Sequence, residues 1–541
     1  MADPTASTVA SAADRILGHF SLPVQQPAFE KMLNLCRILL GLGMLHRYID
    51  ILGFAVIAND PLGATDDARY AATFCVALCL GFATPLALLG MMFFTFYTPF
   101  GFTIGHQMVL LACWVLLFGG AGRRISIDAW LLERPAVGRV ISALYSLAVP
   151  FSPSMFAGLR FMVLLLYASI SFCALAYHFD DPLWLSGNVL QVLSTMSYMT
   201  DHAATAAAFR DALPGVYDVL CSIGLFLQCA LELLMLPLCF FRWGRAFVAL
   251  QWLGFILLRA VQMNLGYLCF TELLLWLLVF GYRPIGNVLR GRTMAPLSAT
   301  AGHFRDSRPG RLLGAFLITA SATVLYFNVV NTATINAPGS ALSRLPHMPL
   351  TFRLFVQWPV NVFNEDDLAM GSGQLVLCET DAAGGILRTV PYLDHHGGRL
   401  SYMRNDLMYF GHSVPWQRSP REKQARTAPA LAMRIALLDA RLHPRADRHY
   451  LALFFAQSQE PFDGYAKWGA PVLQGGFALD VPLAFRARVD ALLPSPSFDL
   501  PPGHVGQQRR MAETTAVLRG LQADGMLSGL ARLPALKPPA H

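Results

Sequence analysis

Repeated long apolar runs constrain this chain more than any other feature of its sequence. About 20 mainly apolar residues are the length that crosses a bilayer as a helix. Nine such runs are read, near 29–58, 68–83, 86–100, 103–121, 155–178, 216–241, 244–262, 264–282 and 312–331. Thr84-Pro85 divides the second from the third as a tight turn, because proline breaks helical hydrogen bonding. A chain with this many runs must bury them in lipid or against one another. The expected fold class is therefore a membrane α-helical bundle of about nine transmembrane helices. The composition agrees: 55% of residues are hydrophobic and 14% charged, whereas soluble domains carry roughly 25% charge.

Three regions follow from the pattern. Residues 1–27 are small and polar and lack the basic and apolar parts of a cleaved signal peptide, so insertion is expected to start from the first apolar helix. Residues 28–335 form the transmembrane domain. Residues 336–541 form a soluble, β-rich α+β domain. In that domain Thr351–Trp358 alternates apolar and polar residues as a half-buried strand does. Gln374–Cys378 and Tyr450–Phe455 are further strand candidates, Gln507–Leu533 reads as a polar amphipathic helix, and Pro415–Arg426 as a loop.

Charge sets an expected topology. Arg123, Arg124, Arg134 and Arg139 follow the fourth run, Arg242 and Arg245 the sixth, and a set from Arg283 to Arg311 precedes the ninth. Asp60, Asp66 and Asp67 follow the first run, and Asp180, Asp181, Asp201 and Asp211 the fifth. With nine spans and a cytoplasmic N-terminus, every basic loop falls on the cytoplasmic side. The soluble domain then lies outside the cell inner membrane. The lipid bilayer is the expected partner, and a net charge of +7 spread in this way gives no nucleic-acid footprint.

Nine of the ten cysteines lie between Cys36 and Cys269, so Cys378 has no partner for a disulfide within the soluble region. No CxxC, HExxH, GxGxxG or Walker A motif is present, and no metal centre is expected. The informative side chains are polar residues inside apolar runs: Arg37 and His46 in the first, Glu232 in the sixth, Arg259 in the seventh and Glu272 in the eighth. An unpaired charge there costs about 2.5–3.5 kcal/mol at a helix centre. Arg259 is therefore expected to pair with Glu232 or Glu272. The stretch Leu175-Ala176-Tyr177-His178-Phe179-Asp180-Asp181-Pro182-Leu183-Trp184-Leu185-Ser186-Gly187 ends the fifth run on ionisable groups.

Several of these segments, in order, resemble the HTTM membrane domain of vitamin K-dependent gamma-carboxylases and their bacterial relatives. They are Arg37 with Gly41-Leu42-Gly43, the Gly81-Phe82-Ala83-Thr84 turn, His106 at a helix start, and Ser126-Ile127-Asp128. Trp184 with Gly187, Gln262-Met263-Asn264-Leu265-Gly266 and Trp358-Pro359-Val360-Asn361-Val362-Phe363 complete the set. The resemblance spans residues 28 to 365 and implies the same topology as the charges. In carboxylase members, a lysine at the end of the fifth span is the base that deprotonates vitamin K hydroquinone. Tyr177 and His178 occupy that place, with one extra residue before Trp184, and Ile256 stands near another family histidine.

The resemblance thus implies a quinol-linked oxidoreductase or peptide-modifying enzyme without the carboxylase lysine. His178 and His106 would be its catalytic residues and a quinone or hydroquinone its partner molecule. Tyr177, Asp128, Ser126, Trp184, Arg259, Glu232, Glu272 and Arg37 would line the cavity, and the external domain would present a peptide or protein substrate. Histidine titrates near pH 6.5 and needs no large shift to serve as a base. The alternative is a non-enzymatic membrane binding or immunity-type protein of a peptide system.

Overall fold

A computed structural model describes residues 16–17, 19–20, 26–57, 64–96, 104–145, 152–179, 181–195, 200, 202–262, 268–281, 308–336, 339–346, 373–391, 432–433, 435–436, 439–440, 447–456, 459–462, 465–468, 472–481 and 505–532. The chain is mostly helical, with a small sheet in its C-terminal region. The apolar runs become helices α1 (Gln26–Ile57), α2 (Ala64–Leu80), α3 (Thr84–Phe96), α4 (Ile104–Phe118), α7 (Pro153–His178), α11 (Pro214–Cys239), α12 (Arg242–Gln262), α13 (Leu268–Phe280) and α14 (Arg308–Asn336). Between them lie the short helices α5 (Ile127–Leu132), α6 (Val137–Leu144), α8 (Pro182–Leu185), α9 (Val189–Thr195) and α10 (Ala203–Ala212).

The expectation of a membrane helical bundle holds in part. Among the described residues, four helices are long and apolar enough to cross a membrane: Ser154–Ala176, Pro214–Cys239, Arg242–Val261 and Arg308–Thr334. Other apolar helices are shorter over their described residues. The described part of α13 has 13 residues, about 20 Å at 1.5 Å per residue, against a hydrocarbon core of about 30 Å. Helices α3 and α4, of 13 and 15 residues, are similarly short. An apolar run reports burial without saying whether lipid or protein does the burying. From Met108 to Leu117 α4 is buried on most sides, so it is a core helix of the bundle.

Close contacts fix the bundle. A Cβ on Gly158 of α7 would press on the backbone of Gly314 in α14, and one on Gly43 of α1 would enter the Phe270 ring of α13. Small residues at such crossings let backbones approach. Between α7 and α14, the Asn328 amide donates to the Ser169 hydroxyl at 2.9 Å. Outward faces are apolar: Val216, Val219, Leu220, Ile223 and Phe226 of α11 are all exposed. Their helical spacing forms a continuous stripe that suits a lipid environment better than water.

The C-terminal region builds a five-stranded sheet in the order β2-β1-β3-β6-β7. Its strands are β1 (Gly373–Thr380), β2 (Ile386–Thr389), β3 (Arg448–Ala456), β6 (Val472–Val481) and β7 (Ala531–Arg532). The pairings of β1, β2, β3 and β6 are antiparallel, and β6 with β7 is parallel. Helix α15 (Val505–Ala523) covers one face. Its Leu518 joins Val376, Cys378, Leu451, Leu453 and Phe455, while Leu375, Leu377, Tyr450 and Ala452 enter the other core. Burial on both faces explains the near-continuous apolar run of β1 and β3. These elements contain the strand and helix expectations at Gln374–Cys378, Tyr450–Phe455 and Gln507–Leu533, although α15 ends at Ala523. The expected strand at 351–358 and loop at 415–426 lie outside the described residues. A hairpin of β4 (Gln459–Phe462) and β5 (Tyr465–Trp468) lies against α9, just after Trp184 in the chain.

Candidate functional site

The end of α7 folds back on itself through a short capped turn. The Asp181 backbone N–H donates to the His178 carbonyl at 3.3 Å. The Asp181 carboxylate then caps α8, accepting from the Leu183 N–H at 2.9 Å and the Trp184 N–H at 3.3 Å. Pro182 opens that helix, where its missing N–H costs nothing and its fixed φ is already helical. The result is that the Trp184 indole lies flat on the His178 imidazole, with centroids 3.4 Å apart and planes 5° from parallel.

His178 is 3% exposed. Its Nδ1 stands 3.5 Å from Glu232 Oε2 on α11. Among the described residues, neither imidazole nitrogen finds a hydrogen-bond partner, and Glu232 Oε2 finds none either. Glu232 is held through its other oxygen, which accepts from the Gln228 amide one turn earlier on α11. Buried polar atoms without partners are scarce in folded proteins and each costs about 1–3 kcal/mol. This group therefore concentrates unmet hydrogen-bonding capacity at one point: a flat, clamped imidazole, a carboxylate beside one nitrogen, and the other nitrogen unengaged. Such an arrangement can take up a proton at Nε2 and stabilise the resulting imidazolium through Glu232.

The remaining expected site residues fall into two other groups. Arg259 pairs with Glu272, which settles the choice of partner against Glu232. Tyr167 donates to Glu272 Oε1 at 3.1 Å, its ring lies 4.3 Å from that of Trp252, and the Arg259 guanidinium sits 4.1 Å from the Phe255 ring centroid. Tyr167 precedes His178 by eleven residues on α7, about 16 Å of helix. The Arg259–Glu272 pair is thus a core ion pair set apart from His178 along α7.

Arg37, Ser126 and Asp128, expected to line a cavity, come together in a turn network. Asp128 accepts from the Ala83 and Thr84 backbone N–H groups at 2.7 and 2.8 Å and from the Tyr145 hydroxyl at 2.7 Å. Burial raises the Tyr145 pKa above its ordinary value, so it stays a donor. Arg37 donates to the carbonyls of Leu78, Cys79 and Ile125 and to the Asn34 amide oxygen. Ser126 caps α5 by accepting from the Ala129 N–H at 2.9 Å and donates to the Gly122 carbonyl. Gly81 sits at φ +68°, where a Cβ would strike Ser126 and the Arg37 guanidinium. The network ties the α2–α3 turn to the start of α5 and leaves no Asp128 carboxylate oxygen unbonded.

His106 and Tyr177 lie on α4 and α7, but their side chains are outside the described residues. So are the segments at 263–267 and 358–363. Sequence reasoning had missed Gln228 and Tyr167. Gln228 was detectable as the residue four before Glu232, the spacing that puts two side chains on one helix face. No family model, curated protein or solved structure matches this chain.

Proposed function

We propose that this chain is a membrane enzyme of the HTTM type in which His178 is a general base acting on a weakly acidic, largely apolar substrate. A hydroquinone is the class implied by the resemblance. The observation that carries the reading is the buried His178 imidazole, stacked on Trp184 with Glu232 at 3.5 Å and, among the described residues, no hydrogen-bond partner at either nitrogen. In the proposed step the hydroquinone O–H transfers its proton to His178 Nε2, leaving a phenolate and an imidazolium that faces the Glu232 carboxylate. Trp184 fixes the ring plane, and Gln228 fixes the carboxylate. The β4–β5 hairpin lies against α9 near this end of α7, which supports a role for the C-terminal region in presenting a peptide or protein substrate.

The membrane placement belongs to the same reading: cell inner membrane, multi-pass, N-terminus cytoplasmic and C-terminal region outside, supported by the basic loops and by the exposed apolar stripe of α11.

The test is purification of the full chain from membranes, mass spectrometry of retained small molecules, and turnover of a short-chain naphthoquinol. Wild type is expected to retain a quinone. His178→Gln is expected to lower turnover by about 10²–10⁴, the usual worth of a positioned general base, with an unchanged unfolding midpoint. A chain that neither retains nor turns over quinone sinks the enzyme reading and leaves the non-enzymatic, immunity-type binding protein as the better account.

A further inference from the structure

The corner formed by α5 and α6 packs on itself and turns a second, unpartnered apolar surface outward. Ile141 and Tyr145 make a small core with Leu131, Leu132 and Leu144. Ile125, Trp130 and Val140 nonetheless remain 66%, 55% and 64% exposed, and Val137 is exposed beside them. On α6 the helical spacing puts Val137 and Val140 on one side and Arg139 with Ser142 on the other. The Arg134 guanidinium lies 4.7 Å from the Trp130 ring centroid.

We infer that this corner is an interfacial foot that seats on anionic lipid headgroups. Exposed aliphatic and indole side chains bordered by arginines are the composition of elements lying in the headgroup boundary. The apolar residues enter the acyl edge, and Arg134 and Arg139 meet the lipid phosphates. Charge complementarity selects this occupant. Asp128 is turned inward against the Ala83 and Thr84 backbone, which leaves Glu133 as the acidic side chain exposed on this corner. An acidic protein or nucleic acid would leave Ile125, Trp130 and Val140 in water, and a purely apolar partner would strand the arginines. The presentation is fixed. Ile125 is held at φ +48°, a conformation that costs a β-branched residue energy. Its carbonyl accepts from Arg37 Nη2 at 2.9 Å, and Ser126 caps the helix that follows. The Arg37–Asp128 network thereby aims the foot.

The proposal rests on the bundle being embedded in a bilayer and is independent of the chemistry at His178. The full chain is reconstituted into nanodiscs of phosphatidylcholine alone and of phosphatidylcholine with phosphatidylglycerol, and amide hydrogen exchange is followed across residues 127–144. Exchange there is expected to slow in the anionic discs by about fivefold for each headgroup-bound arginine, with α7 unchanged. Arg134→Gln with Arg139→Gln is expected to abolish that response while leaving exchange in phosphatidylcholine as in wild type. Equal exchange of wild type in the two discs, or a double variant that responds as wild type does, would overturn the foot. A chain that enters neither disc would overturn the membrane placement itself, a distinguishable result.

Discussion

The turn network around Asp128 and the cluster around His178 both bury polar side chains, and they end in opposite states. Asp128 is 0% exposed, and both its oxygens are bonded to the chain's own donors. His178 is 3% exposed, and among the described residues neither of its nitrogens is hydrogen-bonded, nor is the Glu232 oxygen facing it. A polar group buried with every partner present specifies geometry, because each donor it loses becomes a cost. A polar group buried without partners carries that cost in the resting protein. Real sequences break a local rule of this kind mainly where function gains from it. The contrast separates satisfied from unsatisfied groups among residues that looked alike as polar intrusions into apolar runs.

The largest expected effect tests the closed half. Asp128→Ala strands the Ala83 and Thr84 N–H groups and the Tyr145 hydroxyl. At about 1–3 kcal/mol for each unsatisfied group, the protein should lose about 3 kcal/mol or more, read as a lowered midpoint of thermal or urea unfolding in detergent. Asp128→Asn should lose less, because its carbonyl oxygen still accepts. A loss below about 1 kcal/mol for the alanine variant, within the range of an ordinary surface substitution, would remove the closed side of the comparison.

A second closed position lies in the sheet and responds to pH. Cys378 is buried between β1 and α15, and its thiol donates to the Leu451 carbonyl at 3.4 Å. Burial pushes its pKa from 9.0 up to about 12. Above pH 9 the unfolded chain gives up this proton while the folded chain keeps it, so stability falls as pH rises. The slope is about 1.4 kcal/mol per pH unit until the folded group also titrates. Tyr450 is likewise raised by burial, but it adds its own loss only above its ordinary value of 10.0. Urea unfolding followed by proteolysis of the sheet should therefore weaken between pH 9 and 10 in wild type. Cys378→Ala should flatten that interval. An unchanged slope in the variant would assign the pH dependence elsewhere.

How far these features were legible in the sequence depends on what each residue pairs with. The Arg259–Glu272 pair was nearly readable, since two opposite charges thirteen residues apart in adjacent apolar runs can lower their insertion cost by meeting. His178 and Trp184 were readable as neighbours in one short stretch, but the capped turn that stacks them depends on Asp181, which looked like one more loop acid. Glu232 stands 54 residues after His178, and nothing local links them. Arg37 was visible as a buried cation, yet its partners are mostly backbone carbonyls, which every residue possesses and no sequence pattern marks. The apolar runs predicted helices well and spans only in part, because the buried face of α4 and the lipid-suited face of α11 draw on the same residues. In the C-terminal region, β1 and β3 announced themselves by apolar runs of strand length, whereas their order in the sheet did not.

The smallest expected effect on stability is the one that tests the open half most directly. His178→Phe keeps a flat ring against Trp184 and removes two desolvated nitrogens that have no hydrogen bonds to lose. Glu232 keeps the Gln228 amide. Losing the desolvated nitrogens offsets what Glu232 loses when the imidazole 3.5 Å away is removed, so the unfolding midpoint should stay within about 1 kcal/mol of wild type. If instead the variant loses about 2 kcal/mol or more, His178 is contributing to the fold as Asp128 does, and the difference between the two regions disappears. If stability holds while quinone retention and turnover are lost, the cost carried at this imidazole in the resting protein is offset in the bound one. That combination is what a site organised for proton transfer requires, because the same unengaged nitrogen that weakens the fold is the atom a substrate proton must reach.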